Sequence, residues 1–256
     1  MDNLSSNLNV MVAAVKTAAR FMLRDFGEIE QLQSSLKGAE GFASLSKTKI
    51  EKTLTDALLD ARPKYGLISR TGEAKGTDIS HRFIVNAIDG YANFVRGLPF
   101  FAMSIVLQEQ KNLLASVVYN PVLDKLFYAE KGTGAFISET RMTRRIRVSH
   151  RTNPKGSTIA ISGGEASALE TTMLTLGSDS LALAYLAAGM VDGFAGFSRD
   201  VFDLAAGVLL VKEAGGKVLA LDEAGKPAEH PFIAKTIICE NNHLQPGLTG
   251  IIMGGV

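Results

Sequence analysis

Apolar residues recur near helical spacing over residues 8–36, with Val10, Val12, Ala13, Ala18, Phe21 and Met22 among them, and this spacing predicts an amphipathic helix. A second helix is predicted over 48–61, ended by Pro63. The pattern then changes. FIVNAI at 83–88, FAMSIVLQ at 101–108, LLASVVYN at 113–120 and KLFYAE at 125–130 are short apolar runs that read as strands, with Lys131 and Gly132 in a turn. A second half opens with the strand STIAISG at 157–163. Helices are expected over 166–174, 180–190 and 203–214, and strands over 217–221 and 234–240. Helices alternating with strands imply an α/β architecture of layered sheets with helices between and outside them. No repeat or linker interrupts the 256 residues, so the expectation is one compact unit of two halves, 1–140 and 141–256.

Composition narrows the classes of function. Hydrophobic residues at 46% with 21% charged residues mark a globular chain, and a net charge of +1 argues against a general nucleic-acid footprint. No apolar run approaches the roughly 18 residues of a membrane span, and the N-terminus carries neither a basic stretch nor a cleavage signal, so a cytoplasmic protein is expected. Cys239 is the single cysteine and sits in the apolar run FIAKTIICE, where it reads as a core residue. The histidines at 81, 150, 230 and 243 have no metal-ligand spacing. The basic run RMTRRIRVSH at 141–150 has four arginines in seven residues, and a solvated hairpin accounts for it better than an RNA or phosphate patch.

The chemistry lies in two blocks. FIVNAIDGYANF at 83–94 resembles the D-P-x-D-G-T-x-N-F signature of the inositol monophosphatase family, with Asn86 at the first aspartate, Ala87 at the proline and Tyr91 at the threonine, while Ile88, Asp89, Gly90, Asn93 and Phe94 remain. VFDLAAGVLLVKEAGG at 201–216 is similar to the family's distal W-D-x-A-A-G block, with Phe202 for the tryptophan and Asp203 kept. The resemblance continues through YNPVLDKLFYAEKGTGAF at 119–136 and LALAYLAAGMVDGF at 181–194. It implies a layered αβαβα sugar-phosphatase fold, a homodimer and Mg²⁺-dependent hydrolysis of small phosphate monoesters.

Carried across residue by residue, the resemblance also implies a damaged metal site. SLSKTKIE at 44–51 puts Lys47 where the family has an aspartate that supports the nucleophilic water, and YGLISRT at 65–71 puts Arg70 on the metal-ligand glutamate and Thr71 on its acidic neighbour. Glu73 is the alternative ligand. The metal candidates left are Asp89, Asp203 and the main-chain oxygen of Ile88. Five family acids at 47, 70, 86, 89 and 203 are reduced here to two acids and two bases, which sum to zero charge. Mg²⁺ needs several converging oxygens, so its binding is expected to be weak or absent, with Lys47 and Arg70 as countercharges for Asp89 and Asp203. Tyr91 also replaces the family threonine, whose hydroxyl helps orient the attacking water. Gly196 stands where the family has an acid that contacts a sugar hydroxyl. The main-chain phosphate cradle at Gly90, Tyr91 and Ala92 needs only backbone, so phosphate or sulfate is expected to bind there.

The expected function is therefore an impaired or inactive homologue with a binding or regulatory role and an unidentified protein partner. The alternative is an active Mg²⁺-dependent phosphomonoesterase with a rearranged site. An RNA- or transcription-associated role through 141–147, by resemblance to the bacterial extragenic suppressors of the family, is the weakest of the three.

Overall fold

In the computed structural model the described residues are 4–32, 36–72, 74–140, 142–164, 171–228, 231–232, 234–245 and 247–253. Two antiparallel helices open the chain, α1 (Ser6–Gln31) and α2 (Leu36–Ala61). Ser5 caps α1 by accepting a hydrogen bond from the Leu8 amide. The expected first helix thus ends five residues early, and the second begins twelve residues before position 48.

Seven strands follow in one sheet: β1 (Tyr65–Ser69), β2 (Asp78–Asp89), β3 (Ala102–Glu109), β4 (Asn112–Asn120), β5 (Lys125–Glu130), β6 (Gly134–Glu139) and β7 (Met142–Ile146). A short helix, α3 (Tyr91–Val95), follows β2. Pairing is antiparallel except for β1 on β2. The second sheet, in the order β11-β12-β10-β8-β9, is built from β8 (Thr158–Ser162), β9 (Thr172–Leu174), β10 (Gly193–Phe197), β11 (Lys217–Leu221) and β12 (Thr236–Glu240). Helices α4 (Asp179–Ala187), α5 (Val201–Glu213) and α6 (Leu248–Met253) complete the described chain. The helix expected over 166–174 is not formed at its end, where Thr172–Leu174 add a three-residue edge strand to β8; residues 165–170 lie outside the described residues.

Three apolar clusters hold five layers together, the second of them reaching both sheets from the central helices. Met11, Val15, Met22, Leu54 and Leu58 from α1 and α2 meet Val85, Ile105 and Val117 from the first sheet. Leu183, Leu186, Val208 and Leu210 from α4 and α5 fill the space between the sheets, and Leu248 packs on Ile159 and Ile238 outside the second. The order α, β, α, β, α matches the expected sugar-phosphatase layering. Both α4 and α5 are apolar nearly all round because both sides are covered. Among the described residues no helix is long and apolar enough to cross a membrane.

Candidate functional site

The site forms where β2 ends against the first turns of α4 and α5. A strand alternates its side chains between faces, so residues 86 and 89 would ordinarily point opposite ways. A bulge lies between them: Asn86 pairs with Ser104 and Asp89 with Ala102, so three steps on β2 face two on β3. Both side chains therefore face the α4–α5 layer, while Ala87 and Ile88 turn into the core beneath α1 and α2. Gly90 then reverses the chain into α3 with φ 84°, and a Cβ there would lie 2.7 Å from the Phe100 carbonyl oxygen.

Asp89 is buried and held by α4. Its Oδ2 accepts hydrogen bonds from Ser178 Oγ at 2.7 Å, the Ser180 amide at 2.8 Å and Ser180 Oγ at 2.5 Å. Burial pushes its carboxyl up, and the Ser180 and Ser178 hydrogen bonds pull it back only in part. Asp203 lies in the first turn of α5, whose cap is Asp200; the Asp200 side chain accepts from the Phe202 and Asp203 amides. Arg70 reaches both acids, with Nη2 2.5 Å from Asp203 Oδ1 and 2.9 Å from Asp200 Oδ1, and its guanidinium lies over the Phe202 ring. Partial burial opposes the Arg70 charge, but Asp203 and Asp200 overcome it and raise its pKa. Burial also raises the Asp203 carboxyl, against the pull of Arg70.

The other expected residues divide around this centre. Lys47 stands over the Tyr91 ring at 5.6 Å, so it does not serve as the expected countercharge for Asp89; an ammonium on an aromatic face avoids the desolvation that a buried ion pair requires. The Tyr91 hydroxyl donates to the Glu40 carbonyl at 3.3 Å, toward α2. Thr71 donates to Glu51 Oε2 and Ser69 to Glu51 Oε1, both at 2.6 Å, tying β1 to α2. Asn86 donates to the Phe202 carbonyl at 3.3 Å, and its Oδ1 is buried with no hydrogen-bond partner. At Gly196 a Cβ would lie 3.1 Å from Arg199 Cγ, so the arginine stem fills the room of a side chain. Ala92 lines an open cavity beside α3 with Tyr91, Glu40 and Arg96. Glu73 lies outside the described residues.

The sequence reading missed Asp179 and Asp200. Asp179 begins α4 after the capping Ser178, is 5% exposed, and its Oδ2 makes no hydrogen bond; Arg199 Nη1 stands off at 3.8 Å. Burial first, then the neighbouring Asp89, pushes its carboxyl up to about 7. The signal available was Ser178-Asp179-Ser180 directly before an apolar run, which marks a helix start but not a site.

Comparison with known proteins places these features in context. The family model described as "Inositol monophosphatase family" matches residues 3–252. The chain is 40% identical to a Rhizobium meliloti protein named inositol-1-monophosphatase, covering 97% of this chain and 96% of that one. A Mesorhizobium japonicum protein of the same name is 41% identical over 85% of this chain and 86% of its own length. Among solved structures, an extragenic suppressor protein suhB from Bartonella henselae superposes with a TM-score of 0.83 at 38% identity, covering 98% of this chain and all of that one.

Proposed function

The chain belongs to the inositol monophosphatase family, and from that membership we propose that it is a catalytically impaired homologue whose arginine stands in for a divalent cation and whose remaining role is binding or regulation. The observation that carries the proposal is the contact of Arg70 with Asp203 and Asp200. The family is generally Mg²⁺-dependent. Mg²⁺ demands near-octahedral oxygen donors and gives up water reluctantly. The donors present do not fit that demand. Asp203 Oδ1 already carries a guanidinium, Asp89 Oδ2 already accepts three hydrogen bonds, and a neutral amide replaces the first motif aspartate. Among the described residues no group of three or more His, Cys, Asp or Glu side chains is arranged to hold a metal. Gly90, Tyr91 and Ala92 keep a backbone cradle for phosphate or sulfate, and a homodimer is expected as in the family.

The second reading, an active phosphomonoesterase with a rearranged site, is favoured by two buried oxygens without hydrogen-bond partners, Asn86 Oδ1 and Asp179 Oδ2. An extra acid beside Asp89 is what a rebuilt cation site would use. Calorimetric titration with Mg²⁺ and Mn²⁺, run beside inositol-1-phosphate hydrolysis in the same buffer, separates the two. Heat and phosphate release together would sink the impaired reading, whereas neither is expected.

A further inference from the structure

The far end of α5 carries a second constellation. Glu213, its last residue, lies ten residues beyond Asp203, roughly 15 Å along the axis at about 1.5 Å per residue. There a cavity of about 290 Å³ is lined by Arg145, Arg147, His150 and His243, with Glu213 as the one acid. Three separate segments supply these groups, and the structure holds them in place. The His150 and His243 rings lie 4.8 Å apart. Buried Asn241 fixes their two segments, donating to Ser149 Oγ at 2.8 Å and to the Arg151 carbonyl at 3.0 Å while its Oδ1 accepts from the His243 amide at 2.9 Å. The Arg145 guanidinium lies against Gly134, where a Cβ would come within 2.6 Å of Nη2.

The positive charge is not consumed inside the protein. Glu213 spends its two oxygens on the Gly132 and Gly134 amides, each at 2.9 Å. Among the described residues neither Arg145 nor Arg147 forms an ion pair, whereas Arg144 turns away to Glu139 at 3.6 Å. The α5 terminal carbonyl at Ala214 is covered by the Val148 amide at 3.2 Å, so the helix end offers little bare negative charge to the cavity. Planar guanidinium forks and imidazole N–H groups suit tetrahedral oxyanions. The geometry points to a binding site for a phosphate-type dianion, formed by Arg145, Arg147, His150 and His243 and separate from the Asp89–Asp203 site. The charged groups facing this imidazole pair are Arg145, Arg147 and Glu213, so the lining carries one net positive charge before either ring is counted.

The test titrates the full-length protein, in chelator, with sulfate, a tetrahedral dianion. Histidine ring signals are followed by NMR. His150 and His243 are expected to shift and His81, on β2, to stay. Arg145→Ala with Arg147→Ala should raise the dissociation constant about tenfold, against less than about twofold for Arg144→Ala, which removes the same kind of exposed charge outside the cavity. Still signals at saturating sulfate, or equal losses in all arginine variants, would overturn the proposal. Because the arginines are exposed, the variants keep the core, and Arg145→Lys with Arg147→Lys retains charge while losing the fork, with intermediate affinity expected. Parallel arms with inorganic phosphate and phenyl phosphate tell a free anion from a phosphate ester, the ester binding tighter if it is the ligand.

Discussion

Arg70→Glu is the most informative single change. The guanidinium stands 2.5 Å from Asp203 Oδ1 and 2.9 Å from Asp200 Oδ1, and its side chain is 34% exposed. A charge pair at about 4 Å is worth about 4 kcal/mol at an effective dielectric of about 20, and solvent at this depth reduces the net contribution to about 1–2 kcal/mol. Glutamate would also replace attraction with repulsion, for a total loss of about 2–3 kcal/mol in chelator. At about 2–4 °C per kcal/mol for a chain of this size, the melting temperature falls by about 5–10 °C. The same change creates a family-like carboxylate cluster. Mg²⁺ at a hundred times its dissociation constant would return about 2.7 kcal/mol, and so most of the lost melting temperature. The assay is thermal unfolding of both proteins by circular dichroism, in chelator and in Mg²⁺. A variant that melts like the parent in chelator, or a parent that Mg²⁺ stabilises as much as the variant, would refute the view of Arg70 as an internal cation.

Three further outcomes follow from the same contacts. Asp179 has a folded-state value of about 7 against an ordinary 3.8, so the folded protein holds this proton more tightly and stability falls as pH rises from about 4 to about 7. Asp179→Asn should flatten that slope and add up to about 4 kcal/mol at alkaline pH, read by urea unfolding across the range; an unchanged slope would discredit the assignment. Gly207→Ala would place a Cβ 2.3 Å from Leu183 Cβ where α4 and α5 cross, and should cost about 1–3 kcal/mol in the same assay, with no loss showing that the two helices can move apart freely. The combined variant Lys47→Asp, Arg70→Glu, Asn86→Asp and Tyr91→Thr should acquire Mg²⁺-dependent hydrolysis of inositol-1-phosphate. Phosphate release no higher than in the parent would mean that these four positions do not account for the loss.

The elements readable from sequence were those with a long apolar run or a dense motif. β2 through β5 and α5 lie where Phe83 to Glu130 and Val201 to Glu213 place them, because burial on one or both faces leaves a continuous hydrophobic record. Strand β1 left little trace: it is a five-residue edge paired on one side only, and its buried positions do not alternate cleanly. Strand β10, GFAGF, has too few β-branched residues for propensity to reveal it. The first twelve residues of α2 contain Gly38 and Gly41 and only a weak apolar stripe, so the helix start was set late. Within the site, Asn86, Asp89 and Asp203 were visible through motif spacing, and Arg70 through its place in YGLISRT. Asp179 and Asp200 were not, since an acid at the start of a helix has a sufficient local reason to be there.

The bulge between Asn86 and Asp89 makes β2 a strand that tolerates changes of identity but not of length. Removing one residue at 87 or 88 would invert the parity of everything after it. Asp89 would then swing from its serine donors on α4 into the apolar layer that now receives Ala87 and Ile88. An ionised carboxylate there would have no partner, at a cost of several kcal/mol or the loss of its charge. Substitutions at 86 and 91 leave this parity untouched, so a lineage can exchange the chemistry of the pocket while its frame stays the same, and insertions or deletions at this spot should be the changes that it never carries.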